Sequence, residues 1–315
     1  MAVACWAVGI SGQELERLGI TDHGGPAGRR GDRGVQEPGA GRTILLLHGL
    51  MGRGSTWAPH VGWLRQYGHV YTLDAAWHRG RDWADPQAGP APADTMEAGG
   101  DAEPEGDVEP EGDALHTERF VADAAAALEA VGGGPAVVIG HSMGGLHAWC
   151  LAAARPDLVE AVVVEDMAPD FYGWTTGPWD AWFQSWPEEF TREQATGMFG
   201  EVAGRYFLDS FDRTADGWRL HGRIHVWQSI AQHWGTRTYW RQWSQVRCPA
   251  LLIEAGFTMT PEGQMRRMAD EDRGPGAVTR YVRVADAGHL VQADAPDEYR
   301  GAVEAFLSEP APGPA

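Results

Sequence analysis

Pro135-Ala136-Val137-Val138-Ile139-Gly140-His141-Ser142-Met143-Gly144-Gly145-Leu146-His147-Ala148-Trp149 is the stretch whose reading decides the fold. Ala136 to Ile139 is a short apolar run and reads as a fully buried strand. Gly140-His141-Ser142-Met143-Gly144 then matches G-x-S-x-G, and an Ala- and Leu-rich helical pattern follows until Pro156 closes it. A strand, a tight Gly-flanked turn and a helix put the serine at a sharp bend, with its hydroxyl pushed into open space. The same pentapeptide standing alone could equally be a serine N-cap between a strand and a helix. The rest of the chain has to decide.

Working outward, Thr43–Leu47, His69–Leu73, Val159–Glu165, Cys248–Glu254 and Thr279–Val284 read as further strands, most of them nearly all apolar. Between them lie helical patterns at Ser55–Tyr67, Glu118–Val131 and Gly263–Ala269, with a closing helix at Asp297–Leu307. Phe120, Ala124, Leu128 and Val131 form the apolar stripe of the second of these helices. This alternation predicts an α/β protein with a mostly parallel central sheet and helices on both faces. Ligands on such sheets sit at the carboxyl ends of the strands. From Phe171 to Gln245 the alternation stops, and nine tryptophans fall in that interval. It reads as short helices packed as an inserted Trp-rich cap. The expected organisation is a core of residues 1–166 and 246–315 with a helical cap at 167–245.

Three segments read differently. Val3–Gly9 and Glu14–Thr21 suggest a hairpin turning at Ser11-Gly12, followed by a mobile Gly/Arg/Pro loop at 24–42. Residues 84–114 hold ten acidic residues and no basic one, and Glu103-Pro104-Glu105-Gly106-Asp107 recurs as Glu109-Pro110-Glu111-Gly112-Asp113. Such a stretch buries too little apolar surface to offset its ordering entropy, so it reads as a disordered acidic insertion. Residues 308–315 read as a flexible tail.

Composition narrows the function. The 315 residues carry a formal net charge of -19, and all 25 basic residues are arginine. That balance argues against nucleic acid or an anionic membrane surface as partner. No apolar run approaches the roughly 18 residues of a membrane span, and no signal peptide is evident. Three cysteines without C-x-x-C spacing point to reduced thiols and a cytoplasmic setting. No G-x-G-x-x-G follows a strand, and His221-Gly222-Arg223-Ile224-His225 lacks the Glu of a zinc-protease helix. No cofactor and no metal are therefore expected, and the two cap histidines read as facing solvent. Oligomeric state is left open.

Leu47-His48-Gly49-Leu50, Gly140-His141-Ser142-Met143-Gly144-Gly145 and Ala287-Gly288-His289, in that order, resemble the α/β-hydrolase fold superfamily over roughly residues 43–307. The resemblance implies Ser142 as nucleophile, His289 as general base and a cofactor-free serine hydrolase. It implies an oxyanion hole from the backbone N–H groups of Leu50 and Met143, with His48 shaping the first loop. Serine at the elbow argues against relatives that use an Asp nucleophile there. The triad acid departs from the common pattern. Its usual slot, Glu254-Ala255-Gly256-Phe257-Thr258-Met259-Thr260, contains no Asp. Asp166, at the exit of the strand after the elbow helix, is preferred, followed by Glu165 and then Glu254. The Trp-rich cap suggests a mainly apolar ester, lactone or thioester as substrate. C–C bond hydrolysis, cofactor-free perhydrolase or haloperoxidase-like chemistry, and a non-catalytic ligand-binding homologue are the alternatives.

Overall fold

The structure is a computed structural model, and it describes residues 11–26, 41–80, 112–132, 134–175 and 177–309. The chain opens with helix α1 (Gly12–Arg17) and strand β1 (Ile20–Asp22), then β2 (Thr43–Leu47), α2 (Ala58–Leu64) and β3 (His69–Leu73). Next come α3 (Thr117–Ala130), β4 (Ala136–His141), α4 (Met143–Ala154) and β5 (Val159–Glu165). The chain then leaves the sheet for α5 (Pro178–Gln184), β6 (Glu189–Phe190), α6 (Arg192–Phe199), α7 (Glu201–Ser210), β7 (Asp212–Arg213), β8 (Trp218–Arg219), α8 (Ile224–Trp234) and α9 (Trp240–Gln245). It returns as β9 (Ala250–Phe257), α10 (Gln264–Asp270), β10 (Thr279–Gly288), α11 (Val291–Asp294) and α12 (Pro296–Ser308).

The main sheet has seven strands in the order β1-β3-β2-β4-β5-β9-β10, all parallel except β1, which runs antiparallel to β3. Side chains alternate between its two faces. Leu45, Leu47, Val138, Val162, Val164 and Leu252 join the larger core with α3, α4 and the cap, whereas Ile44, Leu46, Val137, Ile139, Val163 and Leu251 join a second core with α2 and α12. Both faces are covered, so the inner strands need no polar side. Helix α4 is buried from Met143 to Ala152, because the sheet lies on one side and α9 on the other, where Trp149 meets Trp243 edge-on at 6.4 Å.

Several sequence expectations change. The hairpin strand over Glu14–Thr21 is replaced by α1, whose cap is Ser11 accepting from the Glu14 N–H at 3.1 Å, and only Ile20–Asp22 is extended. Its proposed partner Val3–Gly9 lies outside the described residues, as do most of the 24–42 loop, residues 84–111 of the acidic segment and residues 310–315. At the end of that segment Gly112–Leu115 forms a 3-10 turn leading into α3. The last sheet strand does not stop at Val284 but continues to Gly288 across an irregularity in register. The cap contains, besides helices, a three-stranded antiparallel sheet in the order β6-β8-β7. No helix among the described residues is long and apolar enough to cross a membrane.

Candidate active site

The elbow follows from where the chain must pass. Ser142 has φ +50° and ψ −119°, a region that non-glycine residues avoid and that costs on the order of 1–3 kcal/mol. The bend is so tight that a Cβ on Gly140 would lie 2.2 Å from the Gly144 carbonyl oxygen, and one on Gly144 would lie 2.2 Å from that of Leu47. The two glycines of the motif are therefore demanded by backbone approach. Ser142 is anchored by its own N–H, which donates to the Glu165 carbonyl at 2.8 Å, and its hydroxyl is left partly exposed at the carboxyl end of β4. Met143 is the first residue of α4, so its N–H has no acceptor within the helix.

Asp166 leaves β5 through a left-handed turn at φ +43°, its N–H donating to the Ile253 carbonyl at 2.8 Å. The turn aims its buried carboxylate at the loop after β10. His289 Nδ1 donates to Asp166 Oδ2 at 2.7 Å, and the Ala255 N–H donates to Oδ1 at 3.0 Å. Burial works to raise the Asp166 pKa, but these bonds, the adjacent imidazole and the Thr258 hydroxyl outweigh it and hold the carboxyl below its ordinary range. Thr258 occupies the slot where the resemblance led one to look for the acid. It thus supports a carboxylate that arrives from a neighbouring strand.

The two runners-up lie elsewhere. Glu165 turns to the other side, its Oε1 accepting the Gln292 N–H at 2.9 Å. Glu254 is bonded by the Tyr281 hydroxyl and faces Arg283. Neither is bonded to His289.

Ser142, His289 and Leu50 line one cavity of about 310 Å³. Its remaining wall is mostly apolar and comes largely from the cap: Trp179, Trp182, Phe199, Phe207 and Trp234, with Met51 and Leu290 from the body. Among the described residues no hydrogen bond joins Ser142 Oγ to His289. Such contacts commonly tighten only around a bound substrate.

His48 donates from Nδ1 to the Gly49 carbonyl at 2.7 Å and accepts the Ala75 N–H at Nε2 at 3.0 Å, which fixes its tautomer and the loop carrying Leu50. His141 is buried and donates from Nε2 to the backbone carbonyl of His289 at 3.1 Å. Burial, with the nearby His289 imidazole, pushes its pKa down to about 3. It is thus a neutral brace for the His289 backbone. Its place beside Ser142 in the G-x-S-x-G motif was the available signal for that role. His221 is corrected: it is buried and bonds the Gly52 carbonyl at 3.2 Å, while His225 is exposed. The fold puts His221 before α8 begins, so it does not share a helical face with His225.

His116, Glu118 and His233 come together where α3 meets α8, with potential ligand atoms within 4.8 Å of one another. The residues do not suit a cation. Arg237 bonds both Glu118 at 2.6 Å and His233 at 2.9 Å, and the two imidazoles stack at 4.1 Å with their planes 12° apart. A resident guanidinium and parallel rings oppose convergence of lone pairs on a metal.

Residues 44–302 match the model of the alpha/beta hydrolase family. The chain is 28% identical over 193 residues to the mouse (Mus musculus) sn-1-specific diacylglycerol lipase ABHD11, covering 55% of this chain and 59% of that protein, under two thirds of its length. It is 22% identical over 280 residues to (E)-2-((N-methylformamido)methylene)succinate hydrolase of Acinetobacter baylyi, covering 86% and 92%. The solved structure of E-2-(acetamidomethylene)succinate hydrolase superposes with a TM-score of 0.63 at 16% identity, covering 86% of this chain and 92% of that one. The chain belongs to the alpha/beta hydrolase family.

Proposed function

We propose that this chain is a serine hydrolase that cleaves a carboxylic ester, lactone or thioester with a mainly apolar acyl or alcohol part through an acyl-enzyme. The observation that carries this reading is the pairing of His289 with buried Asp166 at the rim of the cavity that Ser142 also lines. With Nδ1–H engaged by Asp166, the neutral imidazole presents Nε2 as its lone pair. Nε2 takes the Ser142 Oγ proton as the oxygen adds to the substrate carbonyl carbon. The oxyanion is held by the N–H groups of Leu50 and Met143, each such donor being worth about 3 kcal/mol. His289 then gives the proton to the leaving alcohol or thiol, and water repeats the cycle on the acyl-enzyme. No cofactor enters these steps.

The cavity wall favours apolar substrates. Among the described residues that line it there is no arginine, and the chain has no lysine. A dianionic succinate of the kind named for the Acinetobacter relative would meet no arginine or lysine among those described lining residues to offset its desolvation. The diacylglycerol named for the mouse relative is closer to what this wall suits. The non-catalytic alternative draws on the lack of an Asp in the loop after β9; the Asp166 carboxylate bonded to His289 speaks against it.

The test is labelling with a serine-directed fluorophosphonate followed by hydrolysis of aryl esters of graded acyl length. Wild type should label and turn over medium-length acyl esters, and Ser142→Ala should do neither. Labelling that persists in Ser142→Ala, or a wild type that neither labels nor hydrolyses, refutes the reading.

A further inference from the structure

Glu165 is fully buried at the end of β5 and does not touch the cavity. Yet the three segments that carry Ser142, Asp166 and His289 all meet at it. Its carbonyl oxygen accepts the Ser142 N–H at 2.8 Å. Its side chain accepts the Gln292 N–H at 2.9 Å, three residues beyond His289. Its peptide bond leads directly into Asp166, whose left-handed turn is pinned to β9 through the Ile253 carbonyl. We propose that Glu165 is a positioning residue whose side-chain acceptor helps tie the nucleophile elbow, the acid turn and the His289 loop to one point of the sheet. The inference rests on the serine-hydrolase reading above.

The carbonyl link belongs to the backbone and any residue could make it. The side-chain link is specific. Residue 165 must reach across to the Gln292 N–H with an acceptor, which Glu or Gln can do and an apolar side chain cannot. If the acceptor is lost, a buried N–H is left unpaired at the root of the His289 loop.

The surroundings also favour the uncharged form of this acid. The carboxylates that act on Glu165 are Asp166 on its own turn and Asp294 in α11, and the hydroxyls of Tyr206 in α7 and Tyr299 in α12 are coupled to it. Its Oε2 is buried and without a hydrogen-bond partner among the described residues. Burial pushes its pKa well above the ordinary range, with the N–H groups of Gln292 and Val291 pulling the other way. A second negative charge beside Asp166 would repel the carboxylate that pairs with His289. A neutral acid holds the loop without that repulsion.

The experiment compares wild type, Glu165→Gln and Glu165→Met on one aryl ester from pH 6 to 9, with proton NMR of the His289 Nδ1–H that bonds Asp166. Methionine keeps the length and loses the acceptor, so kcat should fall at least tenfold with KM within twofold, and the low-field proton should shift or vanish. Glutamine keeps the acceptor without charge, so it should restore kcat to within threefold of wild type, with a superimposable pH profile and an unshifted proton. A glutamine variant as damaged as the methionine one, or with a displaced pH profile, overturns the uncharged-acid claim. A methionine variant with wild-type kcat and an unmoved proton overturns the positioning claim. If the methionine variant does not fold, the glutamine variant decides: a tenfold loss refutes the proposal and near-normal turnover supports it. A wild type that neither hydrolyses nor labels would refute the serine-hydrolase reading itself, and the His289 proton in the two variants would still decide the role of Glu165.

Discussion

His289 Nδ1 and Asp166 Oδ2 are 2.7 Å apart, with the carboxylate fully buried and the imidazole partly open to the cavity. The asymmetry matters chemically. A buried carboxylate that already accepts from the Ala255 N–H, with the Thr258 hydroxyl favouring its charged form, is held in place before the imidazole arrives. It fixes one tautomer of His289 and leaves the other nitrogen facing the space where a substrate would lie.

Asp166→Asn should therefore lower kcat by about 10⁴-fold, because an amide can donate to Nδ1 and so stabilise the wrong tautomer. Far-ultraviolet circular dichroism should be unchanged, as the side chains are nearly isosteric. Glu254→Gln, which alters a carboxylate bonded to Tyr281 and not to His289, should keep kcat within threefold. Steady-state kinetics of the two variants check the assignment, and a reversal of their effects would place the acid at Glu254.

Buried histidines make the fold acid-sensitive. Burial pushes His147 and His141 down to about 3 and His60 to about 4. Each has a folded pKa below its unfolded value of about 6.5. Above pH 6.5 neither state is protonated and these groups contribute nothing to the pH dependence. As pH falls below 6.5 the unfolded chain takes up protons that the folded chain refuses, so stability drops, by up to about 1.4 kcal/mol per pH unit for each group. His147 stacks on Phe120 at 5.0 Å with planes 7° apart, and its Nε2 has no partner among the described residues. His147→Phe keeps the stack and removes the titration. Urea unfolding between pH 4.5 and 7 should show a slope reduced by about one proton in the variant. An unchanged slope would mean that His147 does not contribute.

The elbow was legible because its information is local: an apolar strand, two glycines around a serine, and an apolar helix within fifteen consecutive residues. The apolar strands declared the parallel sheet for the same reason. Choosing between Glu165 and Asp166 was harder. Adjacent residues at a strand end point to opposite sides, and the left-handed turn at Asp166 breaks the two-residue period that would say which. The partners of Asp166 come from Ala255, Thr258 and His289, about 90 to 120 positions away, where no spacing rule reaches. Helix α1 carried a readable signal, Ser11 with Glu14 three residues on, which is the pattern of a capped N-terminus. The two-residue strands β6, β7 and β8 are too short for any periodicity to mark. His221 was misjudged because its burial depends on the Gly52 carbonyl of the body, a contact that only the folded cap creates.

On the proposed reading the cap selects the acyl groups that fit, and one small residue tests it. Ala203 lies in α7 and faces the cavity beside Tyr206 and Phe207. A side chain added there projects into a space of about 310 Å³ whose other walls include Trp182, edge-on to Trp186 and Phe199, and Phe199, tilted against Phe207. Those rings are half-buried and braced by their aromatic neighbours, which limits how far they can give way to extra volume. Ala203→Trp should therefore shorten the acyl chain the cavity holds. The value of kcat/KM for an eight-carbon aryl ester should fall at least tenfold, while that for the acetate ester stays within threefold, because Ser142 and His289 are undisturbed. A uniform loss across all chain lengths would mean that the substitution has damaged the reacting groups. No change for the long ester would mean that the acyl chain lies elsewhere.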